Sequence, residues 1–285
     1  MLSIMASVLL MLTMPSPAGA QIINECSEAE VKHYAEIVND IVYAVNNNDY
    51  RIVDELFTKE GADMFEKLVS YGEAHVFGNP EPTCYRYGDK VVCRDIPMSF
   101  TFTESKRKFF EIVNFTFNAD DKICHLAFDL EAAALSDLGR YEQFSEQIRL
   151  DIKSFLEDYK TAFALKRLGY LNEIIDEKAM LIDIRMDSSI LSKEHFLEHI
   201  ENDFNSKEYL NIHFVDCVVI KGKPEVGEVY GIRVKQELTA DDYRDSGYLC
   251  LIVDFNQSEK PLLKFLEWQK DKDSDFGWYE FGYFE

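Results

Sequence analysis

A chain of 285 residues, 47% hydrophobic and 13% aromatic, has apolar surface enough for one or two packed cores and is not a disordered polymer. Its 52 acidic side chains against 30 basic ones leave a net charge of -22, which excludes nucleic acid or an anionic lipid surface as the main partner. Seven Pro and 13 Gly are too few for a collagen-like or linker-type chain.

The chain opens on MLSIMASVLLMLTMPSPAGA, residues 1–20. An apolar run from Val8 to Met14 meets helix-breaking Pro15 and Pro17, then the small residues Ala18 and Ala20. This reads as a signal peptide cleaved after Ala20, although no Lys or Arg precedes the apolar run. The protein is therefore expected in the periplasm or outside the cell. No later stretch approaches the ~20 apolar residues of a membrane helix, so no membrane span is expected.

Export would permit disulfides among Cys26, Cys84, Cys93, Cys124, Cys217 and Cys250. In TCYRYGDKVVCRD two β-rich stretches flank Gly88-Asp89, the signature of a two-residue hairpin turn. Folding there pairs Tyr87 with Lys90, Arg86 with Val91, Tyr85 with Val92 and Cys84 with Cys93. A cross-strand Cys84–Cys93 disulfide is feasible, and two reduced thiols are the alternative. The other four cysteines allow three pairings, and spacing selects none. Cys124 and Cys250, inside apolar strands, are expected as buried thiols.

Helical spacing runs from Glu28 to Val45, with shorter helices over 50–57 and 62–71. After Gly78-Asn79-Pro80 the period falls to two, giving strands at 82–87, 90–103, 107–118 and 123–130. The second half repeats the order. A helix starts near Glu142, is interrupted at Leu168-Gly169 and resumes over 170–175; a short strand occupies 179–184 and a helix capped by Ser192 follows. Strands are expected at 209–220, 228–238, 247–255 and 262–269. The boundary falls between Ala132 and Arg140, making the domains 21–135 and 140–285.

Helices followed by an antiparallel meander argue an α+β unit with a curved sheet wrapped over its helices. The run FLEDYKTAFALKRLGYLNEIIDEKAMLI resembles the opening helices of the nuclear-transport-factor-two-like, cystatin-like cone superfamily. Together with FNSKEYLNIHF, VYGIRVKQ, GYLCLIVDF and DSDFGWYEFGYFE it is similar to a group of exported Bacteroidetes proteins. The resemblance is clearest over 140–285. It implies two tandem cone domains, each with an apolar cavity between helices and sheet, and allows a homodimer through the sheet. The superfamily holds isomerases and dehydratases as well as binding modules, so the fold alone assigns no activity.

Few motifs carry chemistry. His195-Phe-Leu-Glu198-His199 matches the H-x-x-E-H pattern of inverted zinc peptidases, but Phe196, Leu197, Ile200 and Phe204 make the helix an ordinary amphipathic one. Asp271, Asp273 and Asp275 alternate as in a calcium loop, yet Phe276 stands where Gly is needed and Gly282 where a bidentate Glu is needed. No metal or cofactor is expected. Tyr159, Asp183, His213 and Asp216 are the polar residues placed to point partly inward; a cone ligand would meet Tyr159, Phe163, Asp183, His213 and Trp268. The tail crowds Phe276, Trp278, Tyr279, Phe281, Tyr283 and Phe284, either folded back on the protein or forming a partner-docking strip of Trp278, Tyr279, Phe281, Tyr283 and Phe284. The expected function is an exported, non-catalytic binding or interaction module whose partner is a small apolar ligand or an envelope protein. An isomerase- or dehydratase-type enzyme and a structural scaffold are the alternatives.

Overall fold

The computed structural model describes residues 23–70, 72–183, 190–241, 243–256, 260–270 and 282–284. The signal-peptide region, the Asp271–Asp275 run, Phe276, Trp278, Tyr279 and Phe281 lie outside them.

The first half begins with strand β1 (Ile23–Glu25) and helix α1 (Glu28–Asn47). Ser27 and Glu30 cap α1 reciprocally, each bonding the other's backbone N–H. The helix buries Tyr34, Val38, Ile41, Val42 and Val45 and ends at Asn48, which takes the left-handed conformation. A 3-10 turn (Tyr50–Ile52), α2 (Val53–Leu56) and α3 (Lys59–Ser70) follow. The strands are β2 (Gly72–Val76), β3 (Thr83–Tyr87), β4 (Lys90–Phe102), β5 (Lys108–Phe117) and β6 (Ile123–Phe128).

The second half contains α4 (Ala132–Gly139), α5 (Glu146–Ala164), α6 (Leu168–Ile174), β7 (Ile175–Asp183), β8 (Ile190–Leu191) and α7 (Lys193–Ser206). Strands β9 (Leu210–Phe214), β10 (Val218–Lys221), β11 (Val229–Ala240), β12 (Arg244–Asp254) and β13 (Leu262–Gln269) complete it, with a 3-10 turn (Pro224–Val226) before β11.

The two sheets, of six and seven strands, share one wiring over five strands each. In the first the order is β1-β3-β4-β5-β6, and β2 takes the other end of β4. In the second it is β10-β11-β12-β13-β7-β8, and β9 takes the other end of β11. Strand β7 runs parallel to β13. Its counterpart in the first half is a single parallel bridge between Phe57 and Ile123. Each sheet folds one face over its own helices, enclosing one core under α1 and α3 and another under α5 and α7.

The hairpin register is the one read from the sequence, with Gly88 at φ 63° and Cys84 opposite Cys93. Several details differ from expectation. The expected boundary is itself a helix, α4. The strand expected at 209–220 splits, because the Asp216 carboxylate accepts the Lys235 N–H at 2.6 Å where a ladder carbonyl would otherwise do so. The break after α5 falls at Lys166, in the left-handed region, and not at Gly169. Cys124 is only half-buried, because the β5–β6 register slips there and turns Ile123 to the core in its place, while Cys250 is fully buried as expected.

Helix α5 is the keystone. Its apolar positions Ile148, Ile152, Phe155, Leu156, Tyr159 and Phe163 enter the second core. Its polar positions cross the outer face of the first sheet, from Tyr87 on β3 past Arg94 on β4 to His125 on β6. That is the face through which two copies were expected to pair, and in the first half it is occupied by the chain's own helix. Among the described residues, no helix is long and apolar enough to cross a membrane.

Candidate functional site

The residues expected to line a cone cavity divide. Tyr159, Phe163 and Trp268 are packed in the second core. The Tyr159 ring lies 5.1 Å from Phe163 and 6.3 Å from Phe214, and Phe163 meets Phe204 edge-on at 5.7 Å. Asp183 sits opposite Trp268 at the end of β7, and the two are 1% and 2% exposed. His213 is not with them. Strand alternation turns Ile212 and Phe214 inward and His213 toward the first half, where it pairs with Glu131 and lies 3.0 Å from the Asn211 amide.

What the sequence did not disclose is a buried ionic seam between the halves. Arg94 reaches Asp129 and, at 2.5 Å, Glu157; Lys153 approaches both carboxylates at 3.8 and 3.9 Å. Lys160, 1% exposed, donates to Glu111 and Glu131 at 3.0 Å and to the Asp129 carbonyl at 2.9 Å. Asn211 donates to the other Glu111 oxygen at 3.0 Å. Desolvation pushes the Glu157 carboxyl up to about 8, helped by its hydrogen bond to Asp129 and opposed by Arg94. Burial would raise Asp129 as well, but the Glu157 hydrogen bond with the Arg94 and Lys153 charges holds it below its ordinary value. Glu157 thus keeps a proton that it donates to an ionised Asp129. Arg94, Lys153 and Lys160 then face Asp129, Glu111 and Glu131, with burial lowering Lys153 against the pull of Glu157 and Asp129. The only sequence trace of the seam is a dense run of charge on α5, which reads as a wet helix face.

The second half also closes the mouth of the first core. Leu165, 1% exposed, belongs to the first half's core, and Ala164 packs beside it. The Tyr209 ring lies tilted 4.8 Å from Phe102 and 4.7 Å from Phe109, and Arg107 donates to its hydroxyl. A small space of about 30 Å³ remains between Phe100, Phe109, Leu165 and Tyr209.

Two open features stand out among the described residues. A cleft of about 440 Å³ lies where β1 and β3 face the start of α5, lined by Glu25, Cys26, Val31, Cys84, Tyr85 and Glu146 among others. The sulfur of Cys84, which lines the cleft, is 2.7 Å from that of the fully buried Cys93. The hydrogen bond from Cys93 lowers the Cys84 thiol and raises that of Cys93, while burial raises that of Cys26. At the other end of the first sheet's outer face, Phe77, Phe110 and Ile112 are 38%, 62% and 38% exposed. The Phe77 and Phe110 rings stack at 5.7 Å, and the Lys108 ammonium lies 5.5 and 5.4 Å from their centres.

His195, Glu198 and His199 lie on the exposed side of α7. Among the described residues, no cluster of three or more His, Cys, Asp or Glu could hold a metal. In the tail, Phe284 is buried against Val229, Cys250, Ile252 and Phe265 on the outer face of the second sheet, and the Tyr283 carbonyl accepts the Lys223 N–H at 2.8 Å.

No protein-family model and no curated protein matches this sequence. Among solved structures the chain resembles nuclear-transport-factor-two-like proteins. Nuclear transport factor 2 from Cryptosporidium parvum aligns at 14% identity and a TM-score of 0.36, over 45% of this chain and 97% of that one. An Ntf2-like protein involved in plasmid conjugation aligns at 9% identity and a TM-score of 0.29, over 79% of this chain and 88% of that one. Bd1075 from Bdellovibrio bacteriovorus aligns at 14% identity and a TM-score of 0.37; the match spans 44% of this chain and only 41% of Bd1075.

Proposed function

We propose that the chain is an exported tandem of two nuclear-transport-factor-two-like cone domains, 21–135 and 140–285, serving as a non-catalytic interaction module of the cell envelope. The observation that carries this reading is that the chain fills both cone interiors itself. Leu165, Ala164 and Tyr209 stop the first, and the rings of Phe155, Tyr159, Phe163, Phe204 and Phe214 fill the second. Isomerase-type chemistry needs substrate beside Tyr159 or Asp183, and these are 3% and 1% exposed within packed surroundings. The burial of Phe284 supports a tail that folds back on its own sheet over one that docks a partner. Engagement then falls to the outside, and the stacked Phe77–Phe110 pair with Ile112 and Lys108 is the apolar surface best placed for an envelope protein.

Native mass spectrometry of protein purified from its host tests this against a Phe110→Ser variant. A partner chain carried by the wild type and lost from an equally stable variant supports the proposal. A small molecule retained equally by both, with no partner chain, overturns it in favour of ligand binding.

A further inference from the structure

Strand β3 pairs Cys84 with Cys93 on β4, and β1 pairs with β3 through Glu25 opposite Tyr85. Carrying that register one residue further sets Cys26 against Cys84. Side chains alternate along a strand, and Cys84 and Cys93 both face the first core. Cys26, next after Glu25, falls on the same side and packs against the same core. Three cysteines therefore form one row across three strands, about 5 Å per step. Exposure falls along the row: Cys26 is half-buried, Cys84 is 7% exposed and Cys93 is fully buried. Cys26 and Cys84 both line the open cleft together with Glu25 and Glu146, and the charges of Glu30 and Arg86, paired with each other at 2.6 Å, also act on Cys26.

We propose that Cys26, Cys84 and Cys93 form a thiol–disulfide exchange site, opened to the outside by Cys26 and suited to cationic low-molecular-weight disulfides. The Cys26 thiolate attacks one sulfur of the incoming disulfide, forming a mixed disulfide and releasing one small thiol, which takes up a proton. The Cys84 thiolate then attacks the Cys26 sulfur; a Cys26–Cys84 bond forms and the second small thiol leaves, also protonated. The Cys93 thiolate attacks the Cys84 sulfur, so the bond moves to Cys84–Cys93 and Cys26 returns to a thiol. The incoming disulfide is reduced by two electrons and two protons, and the buried pair is oxidised by the same amount. Each step joins neighbours in the row, so no strand has to move far. With the Arg86 charge offset by its pair to Glu30, the acidic lining residues Glu25 and Glu146 leave the cleft more favourable to a cationic disulfide than to an anionic one. This inference is independent of the partner surface at Phe110.

The test uses the reduced full-length chain with cystamine or oxidised glutathione, stopped by acid at intervals and mapped as non-reduced peptides. The wild type should show a cysteamine adduct at Cys26 first, then a Cys84–Cys93 link with Cys26 free. Cys84→Ser should hold the adduct on Cys26, and Cys93→Ser should stop at a Cys26–Cys84 link. Cys26→Ser, a change at a half-exposed position, should form the Cys84–Cys93 link at least about tenfold more slowly. Cystamine should react at least about tenfold faster than oxidised glutathione at low salt, and the ratio should shrink in Glu25→Gln/Glu146→Gln. The proposal is overturned if Cys26→Ser oxidises at the wild-type rate, if the first adduct appears on Cys124, or if the two disulfides react equally fast.

Discussion

Replacing Glu157 by Gln tests the seam directly, because the amide imitates a carboxyl that keeps its proton. In the folded protein Glu157 faces Arg94 from β4, Asp129 from the end of β6 and Lys153 from its own helix, with the Tyr85 hydroxyl near Arg94. Its pKa rises from 4.5 to about 8, chiefly through desolvation. A group raised on folding contributes stability in full below its unfolded pKa and loses it as pH climbs through the folded value. The loss therefore falls between about pH 4.5 and 8. The full shift corresponds to at most about 4–5 kcal/mol, and nearby cations that rearrange around the new charge reduce this to about 2–4 kcal/mol. For a chain of this size that is a melting temperature lower by roughly 5–12 °C at pH 8 than at pH 5. Thermal melts of wild type and Glu157→Gln across pH 4.5–9 measure it, and subtracting one from the other removes the histidines common to both. The subtraction should leave the wild type falling relative to the variant as pH rises. Parallel profiles would refute the protonated Glu157. At the acid end Asp129 and Glu131, both held low, act in the opposite sense: their contribution is lost as pH falls below the ordinary carboxylate range.

Arg94→Met should cost about 3–5 kcal/mol by stranding the Asp129 carboxylate, and adding Asp129→Asn should recover part of it; strict additivity in a double-mutant cycle would count against a shared network. Gly61→Ala would place a methyl 2.2 Å from the Ile123 carbonyl oxygen, where α3 crosses β6, so a loss of at least about 2 kcal/mol is expected by denaturant titration. Phe284→Ala should cost about 2–3 kcal/mol by opening the small cluster on the second sheet's outer face. Deleting 276–285 should cost at least as much, and a truncated chain that melts unchanged would mean the tail does not hold that face.

Period and turn chemistry were enough to read most of the elements. The Cys84–Cys93 register followed from Gly88-Asp89 alone, because a two-residue turn leaves only one pairing. The mixed helix-and-strand order was legible because the chain switches twice from helical spacing to alternation. Strand β1 was missed because three residues carry no period, and β2 because Gly72-Glu-Ala-His-Val76 shows too little apolar alternation to separate from a loop. The split between β9 and β10 depends on the Asp216 side chain standing in for a backbone acceptor, and nothing in a run of alternating residues announces that.

The seam escaped for a deeper reason. A charged helix face reads the same whether water or a second sheet lies opposite, since periodicity reports only which side is polar. On α5 that side meets a complementary set of charges drawn from β4, β5 and the β6–α4 connection. Buried ion pairs of this kind add little net stability over apolar packing, yet each is satisfied in one relative placement only. An apolar interface could slide; Lys160 held between Glu111, Glu131 and the Asp129 carbonyl cannot without stranding a charge. The same placement drives Leu165 into the first core and seats Tyr209 on Phe102 and Phe109. Closing the first interior and fixing the two halves are thus one event. The cysteine cleft and the Phe77–Phe110 face are left at opposite ends of the first sheet.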